Sequence, residues 1–372
     1  MLFALFIAAL ALITYGCLYP WHFAQVTLPH SPFWILLHSW PPRITHFLLR
    51  DIAVNLVIYI PAGLTGHLAF RRRGHRWLAV AAPIAICALL SATIEMLQLW
   101  VPSRDTSLLD LVVNVTGTIV GVILAIVLES ARPSHGSASR KPADRSALAL
   151  LGCGALWMLF PLMPITGRYA LRLKLAALHR ADIFDPLTIL SMAMVWFAAG
   201  ELLQSTRLPA VRKLILLSVL IVPARLLITA QHPLPAEVIG AALGAVAYSR
   251  LPKPNRWITA VLFLATIGLR GLTPFVFVRQ TQPFSWIPFA GLLNMEWQQG
   301  IIVAAEKFFW YGTAVWLLRR ARLSKPASLA TVTVLLLAIE IAQLRIPGHI
   351  AEITDPLLGL AAGWSVFVLA ER

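Results

Sequence analysis

Charge is what this chain lacks most. Asp, Glu, Lys and Arg make up 13% of its 372 residues, where a soluble domain carries about 25%. That is too little polar surface to cover a water-soluble globule of this length, so lipid must be the solvent for most of it. Acids are the scarcer sign, 16 against 31 basic residues. Cysteine is nearly missing. Cys17, Cys87 and Cys153 each sit inside an apolar run, at spacings that fit no metal site, and read as small buried hydrophobes. No nucleic-acid motif is present. The net charge of +15 would suit nucleic acid, but the basic residues fall in short loops between apolar runs, which is the membrane pattern.

Apolar residues are what the chain has in excess, 59% of the total with mean hydropathy +0.77. A span needs about 20 of them in succession. Runs of that kind occupy 2–19, 51–70, 77–100, 107–129, 147–165, 186–204, 211–230, 234–250, 257–278, 298–318, 327–345 and 354–370. The sequence therefore predicts an all-α, polytopic helical membrane protein of about twelve transmembrane helices in two or three four-helix repeat units. The first run has no basic residues ahead of it and reads as a retained span rather than a leader. Basic clusters at Arg71–Arg76, Arg132–Arg145, Arg207–Lys213, Arg250–Arg256 and Arg319–Lys325 share a side with both termini. The positive-inside rule places that side in the cytoplasm. Residues 131–146 form a polar linker between a first unit, 1–130, and a middle one, 147–256; a last unit covers 257–372. The fourth span of each unit has glycines four apart, Gly117 and Gly121, Gly240 and Gly244, Gly359 and Gly363. Such pairs let helices pack closely in lipid. Each pair follows an acid, Asp110, Glu237 or Asp355.

One polar skeleton occurs twice. Glu95, Gln98, Pro102 and Asp110 match Glu340, Gln343, Pro347 and Asp355, each pair 245 positions apart, and Arg104 faces His349 at the same offset. In the first occurrence Pro102 should end one helix and Asp110 begin the next, where the helix dipole favours an anion. Asp51 should open the second span, with Asn55 a turn inside it, and Pro61 and Gly63 are placed to break or kink that span. Asn114 lies a turn below Asp110. The expectation is that Asp51, Asn55, Glu95, Gln98, Arg104, Asp105, Asp110 and Asn114 converge at one outer level, with Arg104 bridging the Glu95 and Asp110 carboxylates. Ionisable groups in a bilayer cost about 2.5–3.5 kcal/mol each on insertion scales, and they usually mark function. Two readings stand, a structural clasp around a loop or a substrate-contacting site; for Asp105 plain loop exposure fits. Lys307 should pair with Glu306 or Glu340. Residues 168–180 form an amphipathic interfacial helix, with Arg168, Arg172 and His179 on one face and Leu171, Leu175 and Leu178 on another. Phe33, Trp34 and Trp40 suit an aromatic belt.

These residues resemble a known family. D-x3-N-x5-P-x-G at Asp51, Asn55, Pro61 and Gly63, followed by E-x2-Q and R-D-x4-D-x3-N-x2-G, is similar to the VanZ-like domain over about residues 20–128. Residues 283–368 resemble a divergent second copy, with Ile287–Phe289 in place, no equivalent of Asn55, and Ile350 where Asp105 stands. The resemblance implies a multi-pass protein of the bacterial envelope, with a possible link to glycopeptide-antibiotic resistance. Its outer-facing pockets would engage membrane lipids and lipid-linked cell-wall or polysaccharide precursors. Candidate substrate-binding residues are Asp51, Asn55, Glu95, Gln98, Arg104, Asp110, Asn114, Glu340, Gln343, His349 and Asp355. A transporter or flippase, favoured by repeats and broken spans, is one alternative. An intramembrane acid–base enzyme is another, though no Ser/His, Cys/His or metal-ligand set accompanies the carboxylates. No cofactor pattern is present, and nothing in the sequence specifies an oligomeric state.

Overall fold

The structure is a computed structural model. It describes residues 2–41, 46–71, 76–130, 144–161, 163–165, 167–180, 183–228, 231–252 and 254–370. Most of the expected linker, residues 131–143, lies outside the described residues. So do Arg72, Arg73, Lys253 and Arg372 of the basic clusters.

The chain is a polytopic helical membrane protein. Among the described residues six helices are long and apolar enough to cross a membrane, and three shorter ones are apolar. Large apolar side chains point outward along them, Trp77 at 69% and Leu89 at 71% exposure, as lipid-facing surfaces require. Two compact units are formed, Met1–Ser139 and Arg140–Arg372.

The first unit contains α1 (Leu2–Leu18), the short α2 (Pro32–Leu37), α3 (His46–Arg71), α4 (Arg76–Gln98) and α5 (Leu108–Ser130). α3 starts at His46 rather than at 51, so Asp51 sits inside the helix and not at its head. Pro61 does not break it; the helix runs unbroken through that residue, as membrane helices allow. α3 and α5 meet backbone to backbone. A Cβ at Gly63 would lie 2.1 Å from the Thr118 carbonyl oxygen, one at Gly117 2.3 Å from that of Leu56, and one at Gly121 2.2 Å from that of Ile60. Only glycine fits such a crossing. α1 closes the bundle, with Phe6, Ile13 and Leu18 packed with Tyr59, Cys87 and Ile94.

The second unit contains α6 (Arg145–Leu159), α7 (Arg168–Arg180), α8 (Pro186–Ser205), α9 (Val211–Ser218), α10 (Ile221–Ala224), α11 (Pro235–Arg250), α12 (Arg256–Leu272), α13 (Ala290–Asn294), α14 (Trp297–Arg320), α15 (Lys325–Gln343) and α16 (Thr354–Ala370). α14 is the central post; Phe309 through Leu318 are all buried, the mark of a helix packed on every side. α8 and α11 cross as α3 and α5 do: a Cβ at Gly240 would lie 2.4 Å from the Ile189 carbonyl oxygen, and one at Gly244 2.2 Å from that of Ala193. Gly359 and Gly363 of α16 instead face side chains, those of Leu336 and Leu329.

A helix lies in each of the twelve expected stretches; all but 211–230 contain one helix, though α6 ends at Leu159 and α12 at Leu272, six residues short of the expected ends. In 211–230 Pro223, which lacks an N–H and crowds the carbonyl four residues back, leaves only α9, α10 and a 3-10 turn at Arg225–Leu227. α7 is present as expected, but its inward face differs. Lys174 is buried between Leu171 and Leu178, and Leu175 is exposed. The Lys174 ammonium donates to the carbonyls of Ile228 and Gln231, which accounts for a cation turned inward. Burial lowers its pKa. The side chain of His179 lies outside the described residues.

Candidate functional site

The skeleton residues of the first unit gather where α4 ends and α5 begins, but they divide into separate groups. α4 ends at Gln98 and the chain turns through 99–107 before α5. Glu95 is 3% exposed. Its Oε2 accepts the Ser107 backbone N–H at 2.8 Å, while the Thr106 hydroxyl donates to the Glu95 carbonyl at 2.8 Å. Gln98 Nε2 donates to the Cys17 carbonyl at 2.9 Å. Arg104 does not bridge the two carboxylates. Its Nε and a terminal nitrogen donate to the carbonyls of Tyr19 and Gly16, both at 3.3 Å. The last carbonyls of α1 lack intrahelical donors, and Arg104 supplies them. Glu95, Gln98 and Arg104 thus each bind backbone and hold the α4–α5 loop over the end of α1.

A second layer lies below. Asn55 hydrogen-bonds the Asp110 carboxylate, with Asp51 close by; Asp110 Oδ1 is buried without a partner. Asn114 Nδ2 donates to Ser91 Oγ at 2.9 Å, and Asn114 Oδ1 is unpaired. Asp51 and Asp105 are exposed. Of the eight residues expected at one level, Glu95, Gln98 and Arg104 therefore form a backbone clasp, Asn55 pairs with Asp110, Asn114 pairs with Ser91, and Asp51 and Asp105 join neither group.

The second unit carries a centre with the same bonds. Glu340, also 3% exposed, accepts the Glu352 N–H at 2.7 Å. Gln343 Nε2 donates to the Gly271 carbonyl at 2.8 Å, and His349 Nε2 contacts that of Thr273 at 2.6 Å, so this nitrogen carries the proton. The acceptors lie at the end of α12, as Cys17 and Tyr19 lie at the end of α1. Smaller features agree. Trp21 and Phe275 have φ of 64° and 62°. Each donates its N–H back to a leucine carbonyl, Leu18 or Leu272, at 2.8 Å. Ala24 N–H reaches the Trp100 carbonyl at 2.7 Å, and Val278 N–H that of Arg345 at 2.8 Å.

The layer below differs. The Lys307 ammonium pairs with Asp355 Oδ1, and the Tyr311 hydroxyl donates to Oδ2 at 2.6 Å. Glu306 pairs with Arg270, whose guanidinium carbon sits 4.6 Å from the Trp310 ring centre. Both expected partners of Lys307, Glu306 and Glu340, are thus replaced. Glu306 and Lys307 lean to different neighbours because adjacent residues on α14 point about 100° apart. Where α3 has Asn55 and Tyr59, α14 has Lys307 and Tyr311, each pair four apart. A fixed offset of 245 misses this match, since these positions are 252 apart. A cavity of about 200 Å³ opens beside these groups, with Arg270, Lys307 and Asp355 on its polar lining and Ile267, Leu336 and Ile339 on its apolar lining. The third acid of the sequence pattern, Glu237, pairs with Arg225, which also bonds Gln231.

Residues 3–129 match the model of the VanZ/LLP1 family, and this stretch is a VanZ/LLP1 family domain. No curated protein and no solved structure matches the chain.

Proposed function

We propose that this is a multi-pass protein of the bacterial cytoplasmic membrane, built from a VanZ-like unit, 1–130, and a divergent second one, 257–372, with a middle bundle between them. Both termini face the cytoplasm and about twelve helices cross the bilayer. Matching clasps at Glu95 and Glu340, on matching helix ends, support the common origin of the two units. The pocket beside Asp355 engages the polar head of a membrane lipid or lipid-linked cell-wall precursor. The observation that carries this reading is the pocket's mixed lining, ion pairs on one part and aliphatic side chains on another. That composition suits an amphiphile. The ion pairs are only partly covered, Lys307 at 27% and Asp355 at 18% side-chain exposure, so a ligand can reach them. Glu95, Gln98, Glu340 and Gln343 are scaffold in this reading, since each is spent on backbone.

Mass spectrometry of lipid retained by the purified protein tests this. Wild type should retain a lipid that the charge-free variant Lys307→Met, Tyr311→Phe and Asp355→Leu releases, and both proteins should have similar thermal stability, because an ion pair exchanged together with its hydrogen-bond partner for apolar groups is often neutral. Equal retention by the two would sink the headgroup reading.

A further inference from the structure

A second polar cavity in the same unit has a different chemistry. It measures about 450 Å³ and adjoins the Asp355 pocket through the shared Arg270 and Glu306. Three carboxylates and two guanidiniums line it, and all are engaged. Arg225 holds Glu237 and Arg270 holds Glu306. Asp185 caps α8, accepting the Leu187 N–H at 3.1 Å and the Thr188 hydroxyl. The lining is therefore balanced to slightly negative, which disfavours a free anion. Its hydroxyls come from Thr188, Ser191 and Thr273. Thr188 is used on Asp185, and Thr273 donates to the Leu269 carbonyl at 3.0 Å.

Ser191 is the exception. It is 5% exposed, and its Oγ has no hydrogen-bond partner. Helix hydroxyls elsewhere in the chain turn back to the carbonyl four residues earlier, as Thr93 does to Leu89 and Thr266 to Leu262, both at 2.8 Å. A buried hydroxyl left unpaired costs about 1–3 kcal/mol. Other unpaired hydroxyls occur, among them Ser249 and Thr313, but Ser191 is the one that lines this cavity. It offers one donor and two acceptor positions. The surrounding carboxylates have acceptor lone pairs beyond those their partners use, and Trp157 adds an aromatic wall.

We infer that this cavity binds an uncharged polyhydroxylated group, the sugar of a glycolipid or a free sugar, with Ser191 as a direct ligand once its shielded, unpaired Oγ turns about the Cα–Cβ bond toward the cavity. Neutral hydroxyls, which both donate and accept, suit a lining of acceptors, one free hydroxyl and already neutralised cations. A phosphate would instead have to displace Glu237 or Glu306 from its arginine. The two pockets share Arg270 and Glu306 but not Lys307 or Asp355, and they fail separately: the charge-free variant of the Asp355 pocket should leave binding here unchanged.

The test uses the full chain in phospholipid nanodiscs, titrated by tryptophan fluorescence with n-hexyl β-D-glucoside, D-glucose, n-hexanol and inorganic pyrophosphate. Saturable binding of the glucoside, absent for n-hexanol and pyrophosphate, is expected. Glucose equal to the glucoside marks a free sugar as the ligand, and a weaker response to glucose marks a glycolipid. Ser191→Ala should weaken glucoside binding about three- to tenfold, the range for one lost hydrogen bond. Thermal stability should hold or rise, since the variant removes an unpaired buried group. The proposal is overturned if pyrophosphate binds better than the glucoside, if no sugar saturates, or if Ser191→Ala leaves affinity unchanged.

Discussion

The two centres share a clasp and part company one turn below it. At the level of the clasp, Glu95 and Glu340 each accept a loop N–H, and Gln98 and Gln343 each donate to the end of an apolar helix. Beneath it, the first unit pairs Asn55 with Asp110 and Asn114 with Ser91. The second has Lys307 and Tyr311 on Asp355, and Leu336 packed over Gly359. Leu336 and Gly359 are each 245 positions after Ser91 and Asn114. The difference separates scaffold from site. A clasp that bonds backbone depends on chain path alone, so it persists wherever the path does. A layer in which side chains bond one another can be exchanged pair by pair, and a ligand preference resides there.

The largest effect expected from this comparison concerns the glycines. Gly63→Ala or Gly117→Ala forces a methyl against a carbonyl oxygen little more than 2 Å away. Backbone cannot yield locally, so each should cost about 3 kcal/mol, the upper part of the overpacking range. At Gly359 the obstacle is the tip of Leu336, 2.6 Å away, which can rotate. The helix also gains about 1 kcal/mol from alanine over glycine. Gly359→Ala should therefore be nearly neutral. Thermal unfolding in one detergent compares the three, and equal losses would remove the distinction between backbone and side-chain crossings.

Much of this was legible in the sequence, and the exceptions have physical causes. The polar skeleton, the pair Glu95 and Glu340, and the helix starts at Asp110 and Asp355 follow from spacing and from the cost of charge in lipid. Arg104 was misplaced because sequence proximity says nothing of α1, whose uncapped carbonyls at Gly16 and Tyr19 compete for its guanidinium. Spacing offers Lys307 either Glu306 or Glu340, but adjacent helix residues diverge and the Glu340 carboxylate is taken by the Glu352 N–H, so Lys307 turns to Asp355. The likeness of Lys307 to Asn55 is hidden by helices of unequal length, α14 and α15 being shorter than α3 and α4 between the tyrosine and the glutamate, which changes the offset from 245 to 252. The tyrosine four residues on in both helices was the available signal. The glycine pairs looked alike in all three spans, yet only two face backbone, because the residue across the interface is not encoded in the glycine itself.

A smaller effect tests the shared clasp. Glu95→Ala and Glu340→Ala each strand a buried N–H, that of Ser107 or Glu352, and each should lower stability by about 2 kcal/mol. Glutamine keeps an oxygen that can accept, so Glu95→Gln and Glu340→Gln should lose less. The two centres should respond alike, and lipid retention should track the folded protein. A Glu95→Gln variant that folds normally but sheds lipid would move Glu95 from scaffold to site.

The smallest effect expected lies in the exchangeable layer. Ser91 and Asn114 make one bond of 2.9 Å, while Asn114 Oδ1 stays buried and unpaired. What the bond contributes is therefore largely offset by the oxygen left without a partner. Asn114→Gly alone opens a hole beside Ser91 and removes its donor. Ser91→Leu alone drives an aliphatic side chain against the asparagine amide. Each single change should cost about 1 kcal/mol. Together they reproduce the Leu336 and Gly359 arrangement, in which the leucine fills the space over the glycine. Replacing both partners of a polar pair by apolar groups of matching shape is close to neutral. The double variant should thus fall within about 0.5 kcal/mol of wild type, giving a coupling of about 1–2 kcal/mol in a double-mutant cycle. Additive losses from the two changes would mean that the layers of the two units are not interchangeable and that the clasp alone is common to them.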